Sequence, residues 1–553
     1  MSYVKKIQTV IILFGIIVLA FVLRTHAISS NPPSLSWDEV SIGYNAYSIL
    51  KTGKDEHGRF LPLNTFVAYG DYKPPMAIYL TVPFVALFGL NELAVRLPSA
   101  LFGTATVLLT YFLVLELFLK SPFRRQLATL SSFVLAISPW HVNISRAGFE
   151  ANIALFFIVL GTWLLVYSRK HPKLLLVVWL PFAAAIYTFN SSRVFAPLFG
   201  IALLAFVFSS IRKQWKLFSV GIAIALISLL PIIPHLFSKE ARLRFTEVNI
   251  FTDSTIVQTS NERIAQEGNT WFSKIINNRR VGFARSFLIH FFDNFQPYFL
   301  FNTGDGNPKF SIQDVGQLYM FEAPFLAIGI FGMFLSYPSL AALLVFWLLA
   351  AIVPAATARE TPHALRILNS LPTWQVFVAF GILQSVEYVR NLNKKTNLYR
   401  TVFILLLVVF YGFGLMYYLH NYYYHYPREY SGEWQYGYKQ ALQKISPIAD
   451  KYDTIVITEL IGRPYMYTLF YTKTNPSNLF ATVDSYFDAA GFYHVKGFGK
   501  YKFGGMLPGR PAAKTLYIWD AGSEPKSARI IDTIHLLNGN PELVIFDDGS
   551  VKL

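Results

Sequence analysis

The stretch Pro74-Pro75-Met76-Ala77-Ile78-Tyr79-Leu80-Thr81-Val82-Pro83-Phe84-Val85-Ala86-Leu87-Phe88-Gly89-Leu90-Asn91 is 18 residues long and uncharged. Whether it crosses a bilayer decides the side on which everything after it lies. Apolar runs long enough to span, about 17 to 25 residues, fall at 7–28, 97–119, 152–168, 194–211, 217–236, 318–336, 339–356, 370–388 and 401–419. Shorter runs at 127–140 and 174–189 bring the count to about 11 spans. If 74–91 does not cross, one face receives Lys5/Lys6, Lys120/Arg124/Arg125, Arg169/Lys170/Lys173, Arg212/Lys213/Lys216 and Arg390/Lys394/Lys395/Arg400, 15 basic residues in all. The short loops of the opposite face hold four: Arg146, Arg193, Arg359 and Arg366. If 74–91 crossed, that bias would vanish. Cytoplasmic loops carry the excess of Lys and Arg, so the segment, started by Pro75 and interrupted by Pro83, is expected as a re-entrant or surface-lying helix on the outer face.

Composition fits a membrane protein. The 553 residues are 54% hydrophobic, 17% aromatic and 14% charged, with a mean hydropathy of +0.40; soluble domains are about a quarter charged. The net charge of +16 sits largely in short clusters between apolar runs, which argues against nucleic acid as a partner. With no cysteine there is no disulfide framework, no thiolate nucleophile and no Cys-ligated metal. Lys5 and Lys6 precede an apolar run to Leu23 that is long for a signal-peptide core, and Arg24-Thr25-His26 is a poor cleavage site, so a retained first span is expected.

This topology gathers the outer loops 29–96, 141–151, 237–317 and 357–369 on one face with the tail. The membrane domain is expected over 1–419, with a cytoplasmic N-terminus. Residues 420–553 are expected as an extracytoplasmic soluble α/β domain, with a helix at 437–445 and strands at 454–458, 515–519, 529–536 and 542–546. Loop 237–317 starts polar with Glu240, Arg242, Arg244, Glu247 and Asp253. It turns aromatic at Phe287–Phe301, an expected interfacial helix, and Gly304–Pro308 is a turn.

The outer face carries the candidate chemistry. Ser36-Trp37-Asp38-Glu39 follows the first span, and carboxylates beside a bilayer are costly to desolvate without a task. Asp38 and Glu39 are the candidate catalytic pair. Adjacent side chains point apart, so Asp38 is read as the acid/base and Glu39 as its structural partner; the alternative is a solvated loop helix with Asp38 as N-cap. Lys73, its backbone stiffened by Pro74 and Pro75, could hold a phosphate as a point charge. Arg366 could meet phosphate with bidentate donors, and Arg146 could assist. His141, Glu150 and His363 are supporting or acceptor-side candidates, and Arg193, His290 and Asp293 lesser ones. No spacing supports a metal site: there is no His-x-x-x-His and no Asp-x-Asp. A lipid or solute transporter is the competing class, but it would place ionisable residues at mid-membrane, whereas these spans are nearly charge-free.

In order, the acidic pair, Lys73-Pro74-Pro75, Arg96-Leu97-Pro98-Ser99-Ala100-Leu101-Phe102-Gly103 and Ser138-Pro139…Ser145-Arg146…Glu150 resemble the membrane-embedded GT-C glycosyltransferases, most closely the ArnT/protein O-mannosyltransferase branch (glycosyltransferase families 39 and 83). The similarity runs over roughly 30–210 and returns at His363–Arg366. It implies a polyprenyl-phosphate-linked sugar as donor, inverting transfer to an acceptor hydroxyl on protein, glycan or lipid, and no nucleotide-sugar site; because such a sugar arrives activated no cofactor is expected to be required, a divalent metal being left open. It also implies Asp38 as the catalytic residue, Lys73 on the donor phosphate and Glu150 as the second-loop acid. Tyr72 stands where ArnT-like members often have Glu, which argues against a zinc site of their kind. No MIR-type domain is present in the sequence.

Overall fold

The computed structural model describes residues 3–238, 246, 248–392, 397–488 and 491–552. Glu240, Arg242, Arg244 and Glu247 of the polar loop, and Lys394 and Lys395 of the charge count, lie outside these residues. The chain forms two compact units. One comprises 1–23, 102–144 and 150–418; the other comprises 24–101, 145–149 and 419–553.

The first unit is helical. Among the described residues six helices are long and apolar enough to cross a membrane: α1 (Ile7–Thr25), Glu92–Leu117, Glu150–Tyr167, Ser192–Leu236, Pro338–Ala356 and Leu398–Glu429. A bent pair, Arg124–Ile137 and Pro139–Arg146 at 55°, makes a seventh if it is one span. Every one of the eleven expected runs carries a helix. The count falls by five: 194–211 and 217–236 join in one 45-residue helical run, the helices at 172–186 and 320–336 are short, the 127–140 run enters only through the bent pair, and Thr373–Leu392, which carries the 370–388 run, is not among the six. The helices Ala323–Ser336 and Thr373–Leu392 touch backbone to backbone: a Cβ on Gly329 would lie 1.8 Å from the Phe377 carbonyl oxygen, and one on Gly381 1.9 Å from that of Phe325. Small residues permit such approach in lipid, where apolar side chains gain nothing by leaving the solvent.

The second unit holds α2 (Trp37–Thr52), the hairpin β1 (Phe66–Ala68) and β2 (Asp71–Lys73), α3 (Met76–Phe88) and a seven-stranded mixed sheet. Helix α3 lies within the uncharged segment 74–91. Its 13 residues reach about 20 Å at 1.5 Å per residue, short of a hydrocarbon core of about 30 Å. It packs on α2 instead.

The tail forms β3 (Thr454–Ile457), β4 (Asp484–Phe487), β5 (Tyr493–Phe498), β6 (Tyr501–Phe503), β7 (Thr515–Asp520), β8 (Arg529–His535) and β9 (Pro541–Asp547), in the order β4-β5-β6-β3-β7-β9-β8. β3 runs parallel to both β6 and β7. The boundary expected at residue 420 needs correction: the tail does not close its own core. Leu35, Val40, Tyr44 and Ala46 of the first loop share one apolar cluster with Tyr438, Ile455, Met466, Phe470, Leu516 and Ile545. Gly43 of α2 makes room for this, since a Cβ there would lie 2.5 Å from the Phe470 ring.

Candidate active site

Helix α2 begins where its sequence says it should. Ser36 is the N-cap, its side chain accepts from the Glu39 N–H, and Glu39 returns the bond to the Ser36 N–H at 2.9 Å, a capping box. The helix alternative named the element but not its cap: Asp38 lies one residue inside the first turn. There the two carboxylates diverge. Glu39 is fully buried; one oxygen accepts from Arg96 Nε at 2.8 Å and from the Gly148 N–H at 2.9 Å, the other from Ser36. A carboxylate with both oxygens engaged and no solvent access cannot exchange a proton with substrate, so Glu39 leaves the catalytic list. It ties α2 to α4 (Glu92–Leu117) and to residues 145–149.

Asp38 stays open, its side chain 34% exposed, and meets Lys73 Nζ at 2.8 Å; the lysine side chain is 7% exposed. Lys73 also lies 3.9 Å from Asp71. The hairpin aims it. β1 and β2 pair with Ala68 opposite Asp71, leaving Tyr69-Gly70 as a two-residue loop. Both residues have positive φ, 60° and 94°, as a type I′ turn requires. The Thr65 hydroxyl donates to the Lys73 carbonyl at 3.1 Å, and the Tyr69 hydroxyl to the Trp37 carbonyl at 2.8 Å.

Arg146 is also corrected. It ends the helix Pro139–Arg146, where a loop from 141 was expected. Its guanidinium is fully buried, donating to Tyr422 Oη at 3.0 Å and to the carbonyls of His26 and Asn31 at 2.7 and 2.9 Å, under the rings of Tyr422 and Tyr423. Spent on the protein, it cannot take a phosphate. Beyond α2, Glu56 is a carboxylate that sequence reading passed over. It is fully buried, accepting from Asn45 Nδ2 at 3.1 Å and Tyr465 Oη at 3.4 Å, and burial pushes its pKa up to about 8.

The fold is shared with solved structures. ArnT from Cupriavidus metallidurans, solved in the apo state, aligns over 99% of each chain with a TM-score of 0.52 at 13% identity. An oligosaccharyltransferase from Archaeoglobus fulgidus, solved with a tethered acceptor peptide, aligns over 90% of this chain and 74% of its own, with a TM-score of 0.51 and 13% identity. This is a GT-C fold. The family model for dolichyl-phosphate-mannose-protein mannosyltransferase matches residues 15–243. YkcB of Bacillus subtilis, described as a candidate mannosyltransferase, is 34% identical over 108 residues, which is 20% of this chain and 14% of that one. The chain thus spans a small part of that relative.

Within the GT-C fold the other predicted residues lie in the first unit. His141 is buried in the helix from Pro139, and Glu150, also buried, opens the helix to Tyr167. His363 lies 3.8 Å from Asp305, whose carboxylate accepts from the Ala364 N–H at 2.6 Å and the Asn307 N–H at 2.8 Å. Burial raises Asp305 to about 6, and burial with the nearby Arg366 charge lowers His363 well below its ordinary range. Arg366 pairs with Glu360 at 3.8 Å and donates to its carbonyl. The turn at 304–308 was legible; that Asp305 organises the 363–366 loop was not. Of the lesser candidates, His290 meets the Ala358 carbonyl at 2.8 Å and Asp293 accepts from Thr361 at 2.8 Å. Among the described residues no three His, Asp or Glu side chains cluster as a metal site.

Proposed function

We propose that the chain is a membrane glycosyltransferase that moves a sugar from a polyprenyl-phosphate carrier to an acceptor hydroxyl, with inversion and with Asp38 as general base. The observation that carries this is the open Asp38 held against a buried Lys73 in a GT-C fold, beside a Glu39 that is wholly engaged. ArnT has been solved bound to undecaprenyl phosphate, at a TM-score of 0.51 and 12% identity to this chain, which supports the class of donor. On this reading the donor phosphate draws Lys73 away from Asp38. The freed carboxylate takes the acceptor proton, the acceptor oxygen bonds to the anomeric carbon, and the carbon–oxygen bond to phosphate breaks with its electron pair leaving on phosphate. Lys73 stabilises that charge where water is scarce, through an oxocarbenium-like transition state. The sugar arrives activated, so no soluble cofactor is needed. The reading places the protein in the cell membrane with the site and tail outside and the N-terminus cytoplasmic.

The test offers the purified chain a set of radiolabelled polyprenyl-phosphate sugars with protein, glycan and lipid acceptors. Asp38→Asn abolishes transfer and leaves the thermal unfolding profile in place. Transfer retained by Asp38→Asn removes Asp38 from the role.

A further inference from the structure

Lys73 faces two carboxylates, Asp38 at 2.8 Å and Asp71 at 3.9 Å, so the trio carries a formal charge of −1. A phosphate approaching that trio is repelled unless a second cation stands nearby. The arginines bonded to the α2 segment and its hairpin are already engaged: Arg59 pairs with Asp55 at 2.7 Å and donates to the Thr65 carbonyl at 2.9 Å. Arg96 donates to Glu39 and to the carbonyls of Ile28, Pro32 and Ser34, and Arg146 is enclosed as described, so neither has donors to offer.

Arg463 differs. Its guanidinium stacks 5.1 Å over the ring of Tyr69 and, among the described residues, makes no ion pair or hydrogen bond. A cation held over an aromatic face keeps its N–H edge free for a forked contact with phosphate oxygens. Tyr69 is the turn residue of the hairpin that carries Lys73, and its hydroxyl donates to the carbonyl of Trp37, the neighbour of Asp38. A Cβ on Gly462 would lie 3.3 Å from the Trp37 ring, so the loop that bears Arg463 rests against the start of α2. The Tyr69 hydroxyl, pushed well above its ordinary range by burial and by Glu56, also feels Asp38 and, with opposite sign, Arg463. Arg463 has φ of 42°, in the left-handed region, where Gly or Asn would sit at lower cost.

We propose that Arg463, supplied by the C-terminal segment, is the second cation that binds the donor phosphate beside Lys73. This rests on the polyprenyl-phosphate donor proposed above. With Arg463 the group is formally neutral before phosphate arrives, and the tail becomes part of the donor site.

The test titrates the full chain, in nanodiscs of zwitterionic lipid, with undecaprenyl phosphate, undecaprenol and inorganic phosphate, following tryptophan fluorescence and unfolding temperature. Arg463→Asn removes the charge and suits the left-handed backbone. It is expected to weaken undecaprenyl phosphate binding about tenfold to a hundredfold, the loss of one charged contact, with undecaprenol binding and unfolding temperature unchanged. Arg463→Lys recovers most of the affinity. Undecaprenyl phosphate binding by Arg463→Asn equal to wild type overturns the inference while leaving the donor reading standing. A lowered unfolding temperature with no rescue by Lys assigns Arg463 a structural role and also overturns it. Inorganic phosphate competing at comparable affinity marks a free-phosphate site and overturns the donor assignment. Wild type that fails to distinguish undecaprenyl phosphate from undecaprenol overturns the donor reading itself.

Discussion

Glu56 makes the stability of the second unit depend on pH in a way that can be worked out in advance. Its pKa is raised by burial from 4.5 to about 8 in the folded chain, against the opposing hydrogen bonds from Asn45 and Tyr465. A carboxyl whose folded pKa lies above its unfolded one binds more protons when folded. Its contribution is therefore complete below pH 4.5 and is lost as pH rises through about 8. At about 1.36 kcal/mol per pH unit for one proton, the loss between pH 6 and pH 8 is about 2 kcal/mol, the slope easing near the folded pKa. For a unit of roughly 220 residues, each kcal/mol moves the melting temperature by about 2–4 °C, so a fall of about 4–8 °C is expected. Glu56→Gln keeps the shape and an acceptor for Asn45 but cannot ionise. The assay is scanning fluorimetry of wild type and Glu56→Gln in one detergent at pH 6, 7 and 8. The expected result is a wild-type curve that falls relative to the variant. Parallel curves across that range would refute the reasoning, because they would mean Glu56 is ionised on both sides of it or hydrated within the fold.

Arg96→Met leaves Glu39 charged and buried without its cationic partner and should destabilise by about 3–5 kcal/mol; adding Glu39→Gln should restore part of this, as a double-mutant cycle of unfolding temperatures will show. Gly43→Ala forces a methyl against Phe470 and Val95 and should cost about 1–3 kcal/mol of stability by overpacking, read by denaturant titration. Lys73→Ala should raise KM for the polyprenyl-phosphate donor more than it changes acceptor KM, and unchanged donor kinetics would demote it to a structural partner of Asp38. Asp305→Asn removes the charge from its bond to the Ala364 N–H and should loosen the 363–366 loop, measured as faster amide exchange there.

Local chemistry was legible. The strands at 454–457, 515–520, 529–535 and 541–547 stand out as β-rich runs between turn residues, while helix α2 was read only as the alternative and with Asp38 as its cap, although Ser36 with Glu39 three residues on marks its start. The strands β4, β5 and β6 were not seen. β6 is three residues long and β4 is mostly exposed, so neither shows a sustained alternation, whereas β5 does alternate over Tyr493-His494-Val495-Lys496 and was passed over. The hairpin behind Lys73 was hidden for another reason: its turn is Tyr69-Gly70 rather than Asn-Gly. A tyrosine accepts the left-handed backbone here with its ring packed edge-on to Tyr465, 396 positions away by number.

The sequence alone settled the solvent the chain lives in and the course of its apolar helices, and it named Asp38 and Lys73 as candidates, because composition, periodicity and proline placement act over a few residues. Tertiary structure alone decided which charges are still available. Glu39 is consumed by Arg96, 57 positions away, and Arg146 by Tyr422, 276 positions away, while among the described residues Arg463 keeps its donors. Side chains of one type carry the same charge in the sequence. Their fate depends on which carbonyls and carboxylates the folded chain brings within about 3 Å, and that is a property of distant partners.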